Sequence, residues 1–431
     1  MFWRILCYVV IVSSIESVNC DYCDLKTANK FKYIDTNRNG VVVKSNEFTV
    51  CAINYFDMKA VSQTSFNVTN ANGIRSMDLR HNKIDKLEPD TFIEFEMLEK
   101  LTLADNFLDI VPNGRFDNLK LLVLLDLSAN LITNIAADAF VKLKSLQSLI
   151  LNDNCLTDLT LNFGISALHE INLSTNFINN FPRLYVQSVG TLNLSNNSME
   201  AVNFEKITTT VESLIVADNK INRIDNYGNN TNNNNNNNNT NTIVKSIRFF
   251  NFEGNQLTDA KQMPKLSQAL DINLSRNPID YSTNVRFLKR FENVKRLNLT
   301  DTNLTTLEIF QYIDGKQLEE LSIARNPLKV DFDVLQNFTQ LRHLQFQQLS
   351  CYKFSSYRTI IRTFSHLQTL TIHYELSNCN CVKKHKKLFK IFGHVKFATD
   401  WGVMCSGVQR LMTSHYLMIL IILIFLIFQL F

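Results

Sequence analysis

The stretch "LVLLDLSAN", Leu122 to Asn130, decides how this chain folds. Apolar residues hold its first, fourth and sixth places, and an asparagine closes it. Written as L-x-x-L-x-L-x-x-N, the pattern recurs along the sequence. It ends "IRSMDLRHN" at Asn82, "LEKLTLADN" at Asn106, "LQSLILNDN" at Asn154, "LHEINLSTN" at Asn176, "VGTLNLSNN" at Asn197 and "VESLIVADN" at Asn219. Further copies are "IRFFNFEGN" at Asn255, "ALDINLSRN" at Asn277 and "LEELSIARN" at Asn326. Degenerate copies put Thr302, Leu349 and Glu375 in the asparagine slot. Successive slots lie 21–26 residues apart, except for one interval of 36. An internal repeat of this period overrides any division of the length into ordinary globules.

The spacing has a physical reading. Each copy supplies one short strand whose alternate side chains point to opposite faces. Its leucines enter a core shared with the neighbouring copies, so a single copy cannot fold alone. The asparagine amide carries donors and an acceptor, and can satisfy backbone groups where the chain turns inward. Phenylalanine stands ten residues after the asparagine at Phe92, Phe116 and Phe140, with Phe163 displaced by one. These predict an aromatic column on the wider side of the stack.

On these motifs, from about Ile74 to Glu375, the chain resembles the extracellular leucine-rich repeat proteins. The resemblance implies an α/β-type repeat solenoid, a curved horseshoe with a concave parallel β-sheet and disulfide-held caps. The asparagine tract and layout also resemble insect extracellular repeat proteins, including secreted innate-immune ones, although no C-terminal coiled coil follows. The implied domains are a signal peptide (1–20), an N-terminal cap (21–73), about thirteen repeats (74–378), a C-terminal cap (379–407) and a hydrophobic anchor signal (408–431). The 36-residue interval holds "NNTNNNNNNNNTNT", Asn229 to Thr242. That insertion (228–242) has nothing apolar to bury, and its composition predicts a disordered loop.

Both termini point to a membrane surface. Arg4 precedes the apolar run Ile5 to Val12, in the layout of a secretory signal with cleavage between Ser17 and Cys20. "YLMILIILIFLIFQLF", Tyr416 to Phe431, contains no charge. Preceded by "CSG" at Cys405–Gly407 and a polar spacer, it matches a lipid-anchor (GPI) signal with Cys405 or Ser406 as the attachment residue. A short single-pass helix is the alternative. Cysteines cluster where solenoid ends need closing. The expectation is Cys23 with Cys51, and two bridges of unknown connectivity among Cys351, Cys379, Cys381 and Cys405. Cys155, away from both caps, is expected to be an unpaired thiol. The run "KKHKKLFKIFGHVK", Lys383 to Lys396, reads as a solvated basic face near the anchor.

No residue pattern supports an enzyme, a cofactor or a metal. The column between the second and third apolar positions contains no Ser/His/Asp set, no metal-spaced histidines and no phosphate-binding glycine loop. A net charge of +4 lacks the basic stripe of a nucleic-acid binder. N-x-[ST] acceptors stand at Asn67, Asn172, Asn193, Asn196, Asn229, Asn238, Asn273, Asn298, Asn303 and Asn337. Four of them (Asn172, Asn193, Asn273 and Asn298) fall on the outward column, so sugar is expected over the middle of the sheet. Protein contact is then expected on its flanks. The N-terminal flank is Asp78, Arg80, His81, Asp105 and Asp126. The C-terminal flank is Arg325, Arg342, His343, Gln345, His373 and Tyr374. The resulting expectation is a cell-surface recognition or adhesion protein with a protein ligand and a membrane-held tail. The rivals are a secreted immune factor and a structural matrix component.

Overall fold

The computed structural model describes residues 73–204, 209–225, 246–259, 263–283, 286–328, 332–347, 364 and 366–373. It also describes the backbone of strands Ile34–Asn37, Gly40–Val43, Val50–Ala52, Ala60–Val61, Phe66–Val68 and Lys396–Thr399. The chain divides into two compact units after Asp271.

In the N-terminal unit the repeat becomes a parallel sheet. Its strands are Val50–Ala52, Ser76–Asp78, Lys100–Thr102, Leu124–Asp126, Ser148–Ile150, Ala167–Asn172, Ser188–Asn193, Thr210–Ile215 and Phe249–Asn251. Register is uniform, and Asp78, Thr102, Asp126, Ile150, Asn172, Asn193, Ile215 and Asn251 pair in one continuous column. The apolar residues on either side of each column residue are buried. A shift of one residue would expose that whole apolar set, which is why the register does not wander.

The asparagines perform the task their chemistry suggested. Asn130 is fully buried, and its amide donates to the carbonyls of Leu103, Leu127 and Ser128 at 3.0, 3.1 and 3.0 Å. Its Oδ1 accepts from the Leu108 amide, one repeat earlier, at 3.1 Å. Asn106, Asn154, Asn176, Asn197, Asn219 and Asn255 repeat the arrangement. Each buried turn is thereby tied to the preceding one. The turn also requires a left-handed residue just before the asparagine. His81, Asp105, Ala129, Asp153, Thr175, Asn196 and Asp218 all take φ between 51° and 57°, and glycine fills this slot only at Gly254.

The back of this unit changes along its length. Phe92, Phe116, Phe140 and Phe163 stack at 6.1, 6.2 and 6.2 Å between ring centroids, forming the expected column. Beyond Phe163 the repeats shorten to 21–22 residues and the sheet strands lengthen to six residues. Paired strands Thr160–Asn162 with Arg183–Tyr185, and Ala201–Asn203 with Arg223–Asp225, then close the back. Paired back strands also occur among the phenylalanine turns, as Ile110–Val111 with Asn134–Ile135, so the shorter repeats omit the turn and keep the strand. The asparagine-rich insertion (228–242) lies outside the described residues.

The C-terminal unit carries strands Asp271–Asn273, Arg296–Asn298, Glu320–Ser322, His343–Gln347, Thr369–His373 and Lys396–Thr399. Asn298, Ser322, Gln345 and Thr371 continue a register column within it. All thirteen template copies are therefore strands. Short 3-10 helices Phe287–Arg290, Glu308–Tyr312 and Phe332–Leu335 form the back. They are packed by edge-to-face pairs Phe287–Phe291 and Phe310–Phe338 at 5.9 and 6.0 Å.

Where Thr302 replaces the ladder asparagine, a different side chain fills the gap. The Tyr281 hydroxyl donates to Thr302 Oγ1 at 2.6 Å, and Thr302 Oγ1 donates to the Leu299 carbonyl at 2.8 Å. Asn326 Oδ1 accepts from the amides of both Thr302 and Leu304 at 2.9 Å. Burial pushes the Tyr281 phenol well above the ordinary tyrosine range, while the hydrogen bond with Thr302 opposes that rise.

Candidate protein-interaction face

Side chains that the repeat does not need for its core stand on the outward face of each sheet. In the N-terminal unit the structure brings the predicted flank together in pairs. Arg80 grips Asp78 through Nε at 2.9 Å to Oδ1 and Nη2 at 2.7 Å to Oδ2. His81 Nδ1 lies 2.5 Å from Asp105 Oδ2 on the adjoining turn. Arg75 and Glu99 form a third pair, like His81 and Asp105 between neighbouring repeats, at 3.1 Å. Asp126 does something else: its Oδ1 accepts from the Ser128 amide at 3.0 Å and the Ser128 hydroxyl at 2.6 Å.

The same turn explains the acceptor asparagines of the sheet. Asn172 with Ser174, Asn193 with Ser195 and Asn273 with Ser275 each make the two bonds that Asp126 makes with Ser128. Asn298 Oδ1 accepts from the Thr300 amide at 3.0 Å. An Asx side chain with a hydroxyl residue two places on ends the strand and starts the turn. The N-x-[ST] pattern thus has a folding role of its own here. Asn196, Asn303 and Asn337 are exposed, the first two with φ of 53° and 62°. The side chains of Asn67, Asn229 and Asn238 lie outside the described residues.

The predicted C-terminal flank belongs to the other unit and is partly described. Arg325 is exposed at φ 54°, and Arg342 lies 3.9 Å from Glu319. His343 Nδ1 is 2.5 Å from Thr369 Oγ1, and Gln345 Oε1 accepts from the Ser322 hydroxyl at 3.3 Å. The His373 backbone pairs with Gln347, and Tyr374 lies outside the described residues.

One group was not singled out from the sequence. Val123, Leu124 and Ile150 occupy outward positions and are only half-buried. Leu124 is registered between Lys100 and Ser148, and Ile150 between Asp126 and Asn172. The two lie on adjacent strands, two positions apart, within side-chain reach. The signal was present in "LVLLDLSAN", where both variable places after Leu122 hold apolar residues that the core does not require.

One expectation is overturned. Cys155 is disulfide-bonded rather than a free thiol. It follows Asn154 at the sheet's rim and is 8% exposed, whereas Phe107, Leu131 and Phe177 at equivalent positions are half-exposed. That occlusion accords with a covalent partner. The backbone of Cys51 pairs with Met77 of the first repeat. Cys23, Cys351, Cys379, Cys381, Cys405 and Ser406 lie outside the described residues. Among the described residues, no helix is long and apolar enough to cross a membrane, and no three His, Cys, Asp or Glu side chains group as metal ligands.

The sequence profile of the family described as leucine rich repeat matches residues 72–132 and 122–178. Residues 72–178 are leucine-rich repeats. Its fold resembles that of TLR13 in its complex with ssRNA13, with a TM-score of 0.52 at 18% identity. That match covers 78% of this chain and 53% of TLR13, so this protein spans about half the length of that relative. The LRIM1/APL1C complex matches at 17% identity over 84% of this chain and 69% of that one, with a TM-score of 0.47. The APL1 leucine-rich repeat domain matches at 19% identity over 88% of each chain, with a TM-score of 0.44. No curated protein sequence matches the chain.

Proposed function

We propose that this leucine-rich repeat protein is a cell-surface recognition or adhesion protein that binds another protein through the outward sheet face of its N-terminal unit. The observation that carries this reading is the island of Val123, Leu124 and Ile150. Half-buried apolar side chains stand on a rigid ladder, with the pairs Asp78–Arg80, His81–Asp105 and Arg75–Glu99 on one side and Asp126, Asp153 and Glu170 on the other. A desolvated apolar centre inside a polar rim is the layout of a protein-binding hot spot. The flank Arg325, Arg342, His343 and Gln345 is a secondary contact in this reading. Signal-directed secretion, a lipid anchor at Cys405 or Ser406, cap disulfides and sugar on the exposed acceptors complete it. No catalytic role is assigned to any residue.

The test is cross-linking on intact cells followed by mass spectrometry, comparing the wild-type chain with a Leu124→Asp/Ile150→Asp variant. A partner cross-linked to wild type and lost from the variant supports the reading. Identical partner sets would remove the sheet face from consideration. Treatment of the same cells with a phosphatidylinositol-specific phospholipase is expected to release the protein, and retention would favour a spanning helix.

A further inference from the structure

The charges around the apolar island are not balanced, and the imbalance has a direction. On its Asp78 and Glu99 sides each carboxylate faces an arginine, and the exposed Lys100 stands in register beside Leu124. On the opposite side stand Asp126, Asp153 and Glu170. Asp126 is held by Ser128, and Asp153 accepts from Asn152 Nδ2 at 2.6 Å, both neutral groups. No ion pair reaches any of these three carboxylates among the described residues. A ligand for this face therefore needs an apolar side chain beside several positive charges.

The chain itself contains such a segment. "KKHKKLFKIF", Lys383 to Phe392, interleaves five lysines with Leu388, Phe389, Ile391 and Phe392. The wider charge distribution runs the same way. Through Asp271 the sequence holds 24 Lys/Arg against 29 Asp/Glu, a net of −5, and after it 20 against 11, a net of +9. Lys383–Phe392 lies outside the described residues.

We infer that the island of Val123, Leu124 and Ile150, with its acidic side, receives the basic-apolar segment Lys383–Phe392 of a second copy, so that the protein binds itself across a cell–cell contact. This rests on the reading of the sheet as a recognition face. The contact is heterologous, joining two different patches, and is steered by opposite charge.

Mixing of non-adherent cells that express the full chain tests this. Wild-type cells are expected to aggregate with one another. Island cells (Leu124→Asp/Ile150→Asp) and segment cells (Lys386→Glu/Lys387→Glu/Lys390→Glu) should each aggregate roughly tenfold less when alone, the effect of losing one anchor. Mixed together, the two variant populations regain aggregation, because each supplies the patch the other lacks. That recovery also shows that both variants are folded at the surface. Absence of aggregation between wild-type cells that stain for surface protein would overturn self-recognition, while leaving a different protein ligand for the cross-linking test. Loss of aggregation without recovery on mixing would also overturn it.

Discussion

The two units are built from one repeat yet solve its problems differently. In the N-terminal unit every described turn from Asn82 to Asn255 has its asparagine, and Phe92, Phe116, Phe140 and Phe163 stack almost parallel, with interplanar angles of 17°, 24° and 16°. In the C-terminal unit Thr302 breaks the ladder, Tyr281 bridges the gap, and the back-side rings meet edge to face at 88° and 80°. At this break two hydroxyls take over from the amide, that of Thr302 donating to the Leu299 carbonyl and that of Tyr281 donating to Thr302. The N-terminal unit is also the acidic one and carries the apolar island. Regularity of the scaffold and concentration of outward-facing chemistry coincide in it.

Substitutions can break this contrast. Phe116→Ala removes a ring packed on both sides and should cost about 4 kcal/mol in urea unfolding, more than Phe310→Ala in the other unit. Equal losses would mean that the parallel stack has no special weight. Asn130→Ala orphans buried carbonyls and one amide, and is expected to cost about 3 kcal/mol, with lost hydrogen-exchange protection centred on residues 103–130. Thr302→Ala, which removes one buried carbonyl partner, should cost about half as much.

Smaller effects sharpen the comparison. Tyr281→Phe removes the bridging hydroxyl at a cost of about 1 kcal/mol. Because burial raises the folded phenol above its unfolded value, the neutral form stabilises the fold below about pH 10. That contribution is lost as pH rises further, so the wild type should show a steeper alkaline loss of stability than the Phe variant. Thr175→Gly relieves a β-branched residue at φ 54° and should stabilise by about 0.5 kcal/mol, after allowing for the greater freedom of glycine in the unfolded chain. Asp126→Asn should leave stability within about 0.5 kcal/mol, because asparagine makes the same turn at Asn172 and Asn193. It also creates a new acceptor sequence, so mass spectrometry of this variant shows directly whether a sheet asparagine in this turn is glycosylated.

Much of this was legible in the residues. The strands, buried asparagines and outward column follow from a pattern repeated thirteen times, where each apolar slot can have only one environment. The phenylalanine column was equally readable, because stacking in register places equivalent residues against one another. Tyr281 was not readable as a ladder substitute, since it lies outside the template and reaches Thr302 from a different turn. Cys155 was misread because its local sequence shows nothing of what covers it. The acceptor asparagines had two sequence meanings, sugar site and turn former, and coordinates showed the second in operation.

By itself the sequence determined that the chain stacks: a face of leucines every 21–26 residues has no stable place except against its own copies. Tertiary structure decided what the stack displays. Whether Arg80 is spent on Asp78, and whether Asp126 holds a turn, depend on contacts that the repeat period does not specify. Those contacts lie on the outward face, where many side chains are compatible with the fold and only their three-dimensional neighbours give them a role.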